Sequence, residues 1–127
     1  DLGVIDVSFN TLTKVLPAFW QLLTSSRESI LLIKPQFEVG REKIGKKGVV
    51  RDPKDHAGAI WQVWLAAQKL GWCCQNLTWS PIRGPAGNIE YLMWLRADSG
   101  DTLAADTVSK LTERAYHSLV KPTETTA

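Results

Sequence analysis

The chain has 127 residues, of which 44% are hydrophobic and 22% charged. That length suits one domain, and the composition excludes disorder over most of the chain, collagen-like repetition and a coiled coil. The formal net charge is only +2, and the longest uninterrupted apolar runs, Val63 to Ala67 and Tyr91 to Leu95, fall far short of the roughly 20 residues that span a bilayer.

Leu2 to Phe9 reads as a buried strand with one carboxylate, Asp6, near its C-terminal end, because continuous apolar runs mark parallel strands covered on both faces. Leu12, Val15, Leu16, Phe19, Trp20 and Leu23 then fall at helical spacing. Pro17 fits this helix if Thr13 is its N-cap, since first-turn amides lack intrahelical partners. The polar stretch Thr24 to Glu28 closes the unit. Ser29 to Lys34 is a second strand, ending in a lysine. Pro35 to Asp52, with Gly40, Gly45 and Gly48, reads as a long exposed loop, of a length that is functional or disordered in most compact domains.

Asp52-Pro53 announces a helix, with Asp as N-cap and Pro at the first helical position. It runs to about Leu70, burying Ile60, Val63, Trp64, Ala67 and Leu70, and Gly71 stops it. Trp72 to Trp79 and Ile89 to Leu95 form an antiparallel pair around the proline- and glycine-bearing segment 81–88. A last helix, Thr102 to Leu119, buries Ala104, Val108, Leu111, Ala115 and Leu119. Residues 1–120 thus form the domain, and 121–127 a flexible tail. This order predicts an α/β fold whose sheet is mostly parallel, with a reversed edge strand.

Adjacent Cys73 and Cys74 do not bridge each other, and no second pair offers a zinc half-site, with His56 and His117 far away in sequence; no metal is expected. Two thiols in an apolar stretch, with no charged-then-apolar leader at the front, fit a reducing, cytoplasmic setting. Most of the six tryptophans lie on predicted apolar faces and are assigned to the core.

Charge is concentrated rather than abundant. Between Lys34 and Lys54 stand seven basic residues against three acidic ones. A local basic segment on a slightly acidic body suits a polyanion, although a merely solvated loop has the same composition. In open α/β sheets, ligands bind beyond the carboxyl ends of the parallel strands. Asp6, Lys34 and Glu90 would share that rim, next to the basic loop. Taken singly, each has a bland role: a turn residue, a snorkelling strand end and a charge guarding a sheet edge.

Four segments carry a resemblance: Ile5 to Phe9, Leu32 to Glu38, Gly48 to Pro53, and Gly84 to Glu90. Together they resemble the haemolysin A (TlyA) family, bacterial proteins with an FtsJ-like S-adenosylmethionine-dependent ribose methyltransferase domain. The match covers about Asp1 to Arg96. It implies the C-terminal half of a Rossmann-like methyltransferase sheet, with 2′-O-methylation of ribosomal RNA as the activity. Of the family's Lys-Asp-Lys-Glu tetrad it supplies Asp6, Lys34 and Glu90, with Lys34 as base, Asp6 orienting it and Glu90 holding the lysine or the ribose. Lys43, Lys46, Lys47, Arg51 and Arg83 would contact RNA phosphates, which position a substrate without reading its sequence.

The family's first lysine, its glycine-rich cofactor loop and its N-terminal RNA-binding domain have no counterpart in these residues. The chain starts without Met, directly in an apolar run, and reads as a piece of something longer. S-adenosylmethionine is therefore expected as cofactor of the complete domain, and the isolated chain is expected to be inactive. The alternative is a non-catalytic module that binds RNA or self-associates through an exposed sheet edge. A pore-forming cytolysin, the third reading, finds no membrane span or strongly basic amphipathic helix in this sequence.

Overall fold

The computed structural model describes residues 2–5, 12–23, 27–39, 43–45, 48–84, 86–97, 100 and 102–120. Its elements are β1 (Leu2–Ile5), α1 (Leu12–Leu22), β2 (Glu28–Ile33), α2 (Pro35–Glu38), α3 (Pro53–Leu70), β3 (Cys73–Trp79), β4 (Tyr91–Arg96) and α4 (Ala105–Leu119). The chain is a mixed α/β fold around one four-stranded sheet of order β1-β2-β4-β3. β1 is parallel to β2, and β4 is antiparallel to both β2 and β3. Three strands therefore point one way and β4 points back. The reversed strand is interior, not at the edge as expected: β4 lies between β2 and β3 and bonds to both.

Side-chain alternation matches the register on the β2 side. β2 buries Ser29, Leu31 and Ile33, and β4 buries Tyr91, Met93 and Leu95. The register pairs them as Ser29–Leu95, Leu31–Met93 and Ile33–Tyr91, so one face of the sheet is continuous core. Helices α3 and α4 pack against each other, and α1 packs on α3. From them Leu16, Ile60, Val63, Trp64, Ala67, Val108 and Ala115 join the same core.

β1, described over Leu2–Ile5, is less buried than the expected strand. Ile5 is buried, but Val4 is 66% exposed, as befits one face of a strand at the sheet's edge. Residues 6–11 lie outside the described set. α1 opens at Leu12, not after a Thr13 cap, and Pro17 sits inside it. The helix thus forgoes the bond a residue-17 amide would donate to the Thr13 carbonyl.

The 53–70 helix has the expected boundaries. Asp52 accepts a hydrogen bond from the Lys54 amide at 2.9 Å, and Gly71 closes the helix at φ 112°, in the left-handed region that favours glycine. Segment 35–52 departs from the expected exposed loop. It begins with the short α2, and Pro35, Val49 and Val50 are buried. Its two ends are anchored in the fold. The expected tail, 121–127, lies outside the described residues.

Candidate active site

The rim is defined by where strands stop. β2 ends at Ile33, which pairs with Tyr91, the first residue of β4. Lys34, just after Ile33, and Glu90, just before Tyr91, therefore leave neighbouring strands at the same end of the sheet. β1 runs parallel to β2 and ends at Ile5 on that end as well; Asp6, the next residue, lies outside the described set. Of the three expected catalytic residues, the structure thus brings two to one rim.

Local sequence holds both. A residue before proline is restricted to extended backbone, and Lys34 sits at φ −113°, ψ 101°. Pro35 after it is buried, which anchors the lysine at the strand end. The Lys34 carbonyl accepts the Phe37 amide at 2.9 Å and starts α2. Glu90 extends the β3–β4 ladder, its carbonyl accepting the Ser80 amide at 2.8 Å. The Glu90 carboxylate lies against Gly84: a Cβ there would stand 2.7 Å from Oε2, so any larger residue would have to displace the carboxylate. The turn around it closes through Gly84 N–H to the Asn88 carbonyl and Gly87 N–H to the Gly84 carbonyl, each 2.8 Å.

The expected RNA contacts are more dispersed. Lys43 is exposed and pairs with Asp55 of α3 at 3.5 Å. An exposed pair of this kind is worth about 0–1 kcal/mol, so a phosphate competes for the lysine readily. Arg51 is half-buried, its guanidinium against Gly45. Arg83 donates from Nε to the Gly87 carbonyl at 2.7 Å and from Nη1 to the Leu119 carbonyl at 3.5 Å. It thereby braces the Glu90 turn against the end of α4. Lys46 and Lys47 lie outside the described residues.

Behind the rim is a buried polar cluster that the sequence reading missed. His56, on the first turn of α3, is 1% exposed, and Asn88 is 2% exposed. His56 Nε2 is 2.7 Å from the Val50 carbonyl, which can only accept, so Nε2 carries the proton and donates. In the neutral ring Nδ1 is then the acceptor, and the Tyr91 hydroxyl donates to it at 2.8 Å. Asn88 Oδ1 accepts the Val50 amide and its Nδ2 donates to the Gly48 carbonyl, both at 2.9 Å. A signal for His56 was present: it precedes Ile60, Val63 and Ala67 at helical spacing on the buried face.

Burial pushes His56 below its ordinary 6.5, outweighing the opposing pull of the Val50 carbonyl and of the charges on Asp55 and Asp52. Burial likewise raises the Tyr91 hydroxyl, which stays protonated. An unfolded chain accepts a proton at His56 more readily than the folded one. Stability from this group is therefore present above about pH 6.5 and lost as pH falls below it. Between about pH 6.5 and pH 5 the melting temperature should fall, and His56→Gln should flatten part of that slope. Equal slopes in both chains would refute the assignment.

Among the described residues, no group of three or more His, Cys, Asp or Glu could hold a metal ion, and no helix is long and apolar enough to cross a membrane. Two surface concavities lie along the exposed side of α4 and between the start of β3 and α4. Both are away from Lys34 and Glu90.

A mixed sheet with charged groups at the carboxyl ends of its parallel strands is the architecture of an α/β methyltransferase-type fold. Residues 1–97 match the FtsJ-like methyltransferase family, and the chain belongs to it. It is 41% identical over 115 residues to the 16S/23S rRNA (cytidine-2′-O)-methyltransferase TlyA of Mycobacterium tuberculosis, covering 91% of this chain and 43% of that protein. It is 39% identical over 123 residues to Bacillus subtilis YqxC, described as an rRNA methyltransferase, covering 94% of this chain and 44% of that one. A solved structure described as a hemolysin from Streptococcus thermophilus superposes with TM-score 0.85 at 35% identity, over 97% of this chain and 45% of that one. The chain spans less than half the length of these relatives.

Proposed function

We propose that this chain carries the acceptor-side catalytic half of an S-adenosylmethionine-dependent 2′-O-ribose methyltransferase acting on ribosomal RNA. The observation that carries the reading is the Ile33–Tyr91 pairing, which brings Lys34 and Glu90 to one rim in a fold of the FtsJ-like family. The names of the relatives support the substrate class.

The chemistry matches the residue types. A ribose 2′-hydroxyl is weakly acidic and a poor nucleophile, so an enzyme must orient it and take its proton. Lys34 is the base in this reading, Asp6 orients its ammonium, and Glu90 holds the lysine or a ribose hydroxyl. Lys43, Lys46, Lys47, Arg51 and Arg83 are the candidate phosphate contacts.

S-adenosylmethionine supplies an already activated methyl on a sulfonium. The described residues do not fit its adenosyl part. The turn after β2 begins Lys34-Pro35, where proline has no amide to offer, and the glycine amides of the 84–88 turn are bonded internally. The donor's cradle belongs outside the described residues.

The test is transfer of a labelled methyl to ribosomal RNA by the protein expressed from its full open reading frame, followed by alkaline hydrolysis. A 2′-O-methyl group cannot attack the adjacent phosphodiester, so the label should emerge in an alkali-resistant dinucleotide. Label in ordinary mononucleotides would mean a methylated base. RNA binding without transfer would mean a non-catalytic module. Either result overturns the proposal.

A further inference from the structure

We infer that Asn88, His56 and Tyr91 are positioning residues that lock the C-terminal end of the basic segment to the catalytic rim; this rests on the methyltransferase reading above. Val50 is 1% exposed and belongs to no strand. A buried peptide without sheet partners must find substitutes for its amide and carbonyl. Here both come from side chains, one distant in sequence and one six residues on: Asn88 takes the amide at 2.9 Å and His56 the carbonyl at 2.7 Å. The other end of the Asn88 amide reaches Gly48 at 2.9 Å, so this side chain bonds at both its oxygen and its nitrogen.

What the clamp joins gives it a role. Asn88 is two residues before Glu90, and Tyr91, which donates to His56 at 2.8 Å, is one residue after it. Tyr91 also pairs with Ile33, beside Lys34. Arg51 directly follows the clamped Val50, and Lys43 is tied to Asp55 on the same first turn of α3 as His56. Through the clamp on Val50, the candidate phosphate contact Arg51 is thus joined to the strand ends that carry Glu90 and the candidate base. RNA held through its phosphates then presents its ribose at a fixed offset from Lys34. Orientation of this kind acts on turnover, because loosely held reactants bind but seldom reach the reactive geometry.

The experiment compares Asn88→Ala and Tyr91→Phe with the unsubstituted protein, expressed from the full reading frame and assayed below each chain's melting temperature. Tyr91→Phe removes only a hydroxyl and keeps the test open if Asn88→Ala does not fold. Two quantities are read: amide hydrogen exchange at Val50, and methyl transfer resolved into kcat and KM for RNA. The expected result is faster exchange at Val50, with kcat lowered about 10- to 100-fold for Asn88→Ala and about 3- to 10-fold for Tyr91→Phe. KM should stay within about threefold in both. A merely structural role would move the melting temperature without that split. Faster exchange at Val50 with kcat unchanged would overturn the positioning role alone. No transfer by the unsubstituted protein would overturn the methyltransferase reading, and this one with it.

Discussion

Lys34→Ala should lower methyl transfer by about 10²- to 10⁴-fold, the usual contribution of a positioned general base. RNA affinity should change by less than about threefold, because a single cation is a minor share of a multi-phosphate interface. The lysine does not wander in the folded chain. Its backbone is extended, Pro35 behind it is buried, and its carbonyl starts α2. Lys34→Arg should fail to restore transfer even though it keeps the charge, since a guanidinium does not give up its proton near neutral pH. That variant separates a base from a phosphate contact. Transfer retained in Lys34→Ala, or restored by Lys34→Arg, would remove Lys34 from the role of base.

The largest effect on stability is expected at Trp64. It lies at the centre of α3, is 1% exposed, and belongs to the core that α3 shares with β2, β4 and α4. Truncating a buried aromatic of this size costs about 3–5 kcal/mol through lost burial and the cavity left behind. Small domains have about 5–15 kcal/mol in all, so Trp64→Ala should unfold at markedly lower urea or not fold at room temperature. Trp94 is the control. It is 40% exposed, and its indole N–H donates to Glu28 at 2.7 Å on the outer side of the sheet. Trp94→Ala should cost about 1 kcal/mol. Equal losses at the two positions would contradict the burial described above.

The contrast between these tryptophans also marks what a linear sequence reveals. Trp64 and Trp72 were assigned to the core from apolar spacing, and both are buried. The 53–70 helix was legible to the residue because Asp52, Pro53 and Gly71 are each local signals with a stereochemical cause. The starts and stops of β2, β3 and β4 were legible to within two residues because apolar runs end abruptly. The place of β4 was not. A reversed strand reads the same from its own residues whether it sits at an edge or between two neighbours. Only the register, in which Leu31 and Leu77 both face Met93, decides it.

The candidate site divides the same way. Lys34 and Glu90 were found because strand ends and the Gly-Asn turn are visible in sequence, and the sheet brings them together. The clamp on Val50 was not found, since Asn88 meets it across the fold and no motif links it to His56, six residues beyond Val50. Val49 and Val50, read as part of an exposed loop, are buried because that clamp satisfies the Val50 peptide. The reading of Arg83 as an RNA contact could not anticipate its hydrogen bonds to the carbonyls of Gly87 and Leu119. Those bonds join a turn to a helix end that is distant in sequence.

The interior place of β4 has a consequence for how the chain is made. Ribosomes deliver β1, β2 and β3 first, yet β2 and β3 share no hydrogen bonds and wait for the strand that comes last. Glu28 pairs with Arg96 and Ile33 with Tyr91, so the contacts that close the sheet span nearly half the chain. Long-range pairing of this kind folds slowly, because the loop must be closed before any contact rewards it. A nascent chain halted before Tyr91 would hold α3 with its apolar face uncovered and β2 bonded on one side only. Closure of this sheet therefore waits until β4 has left the ribosome, and until then the uncovered faces are a window for chaperones.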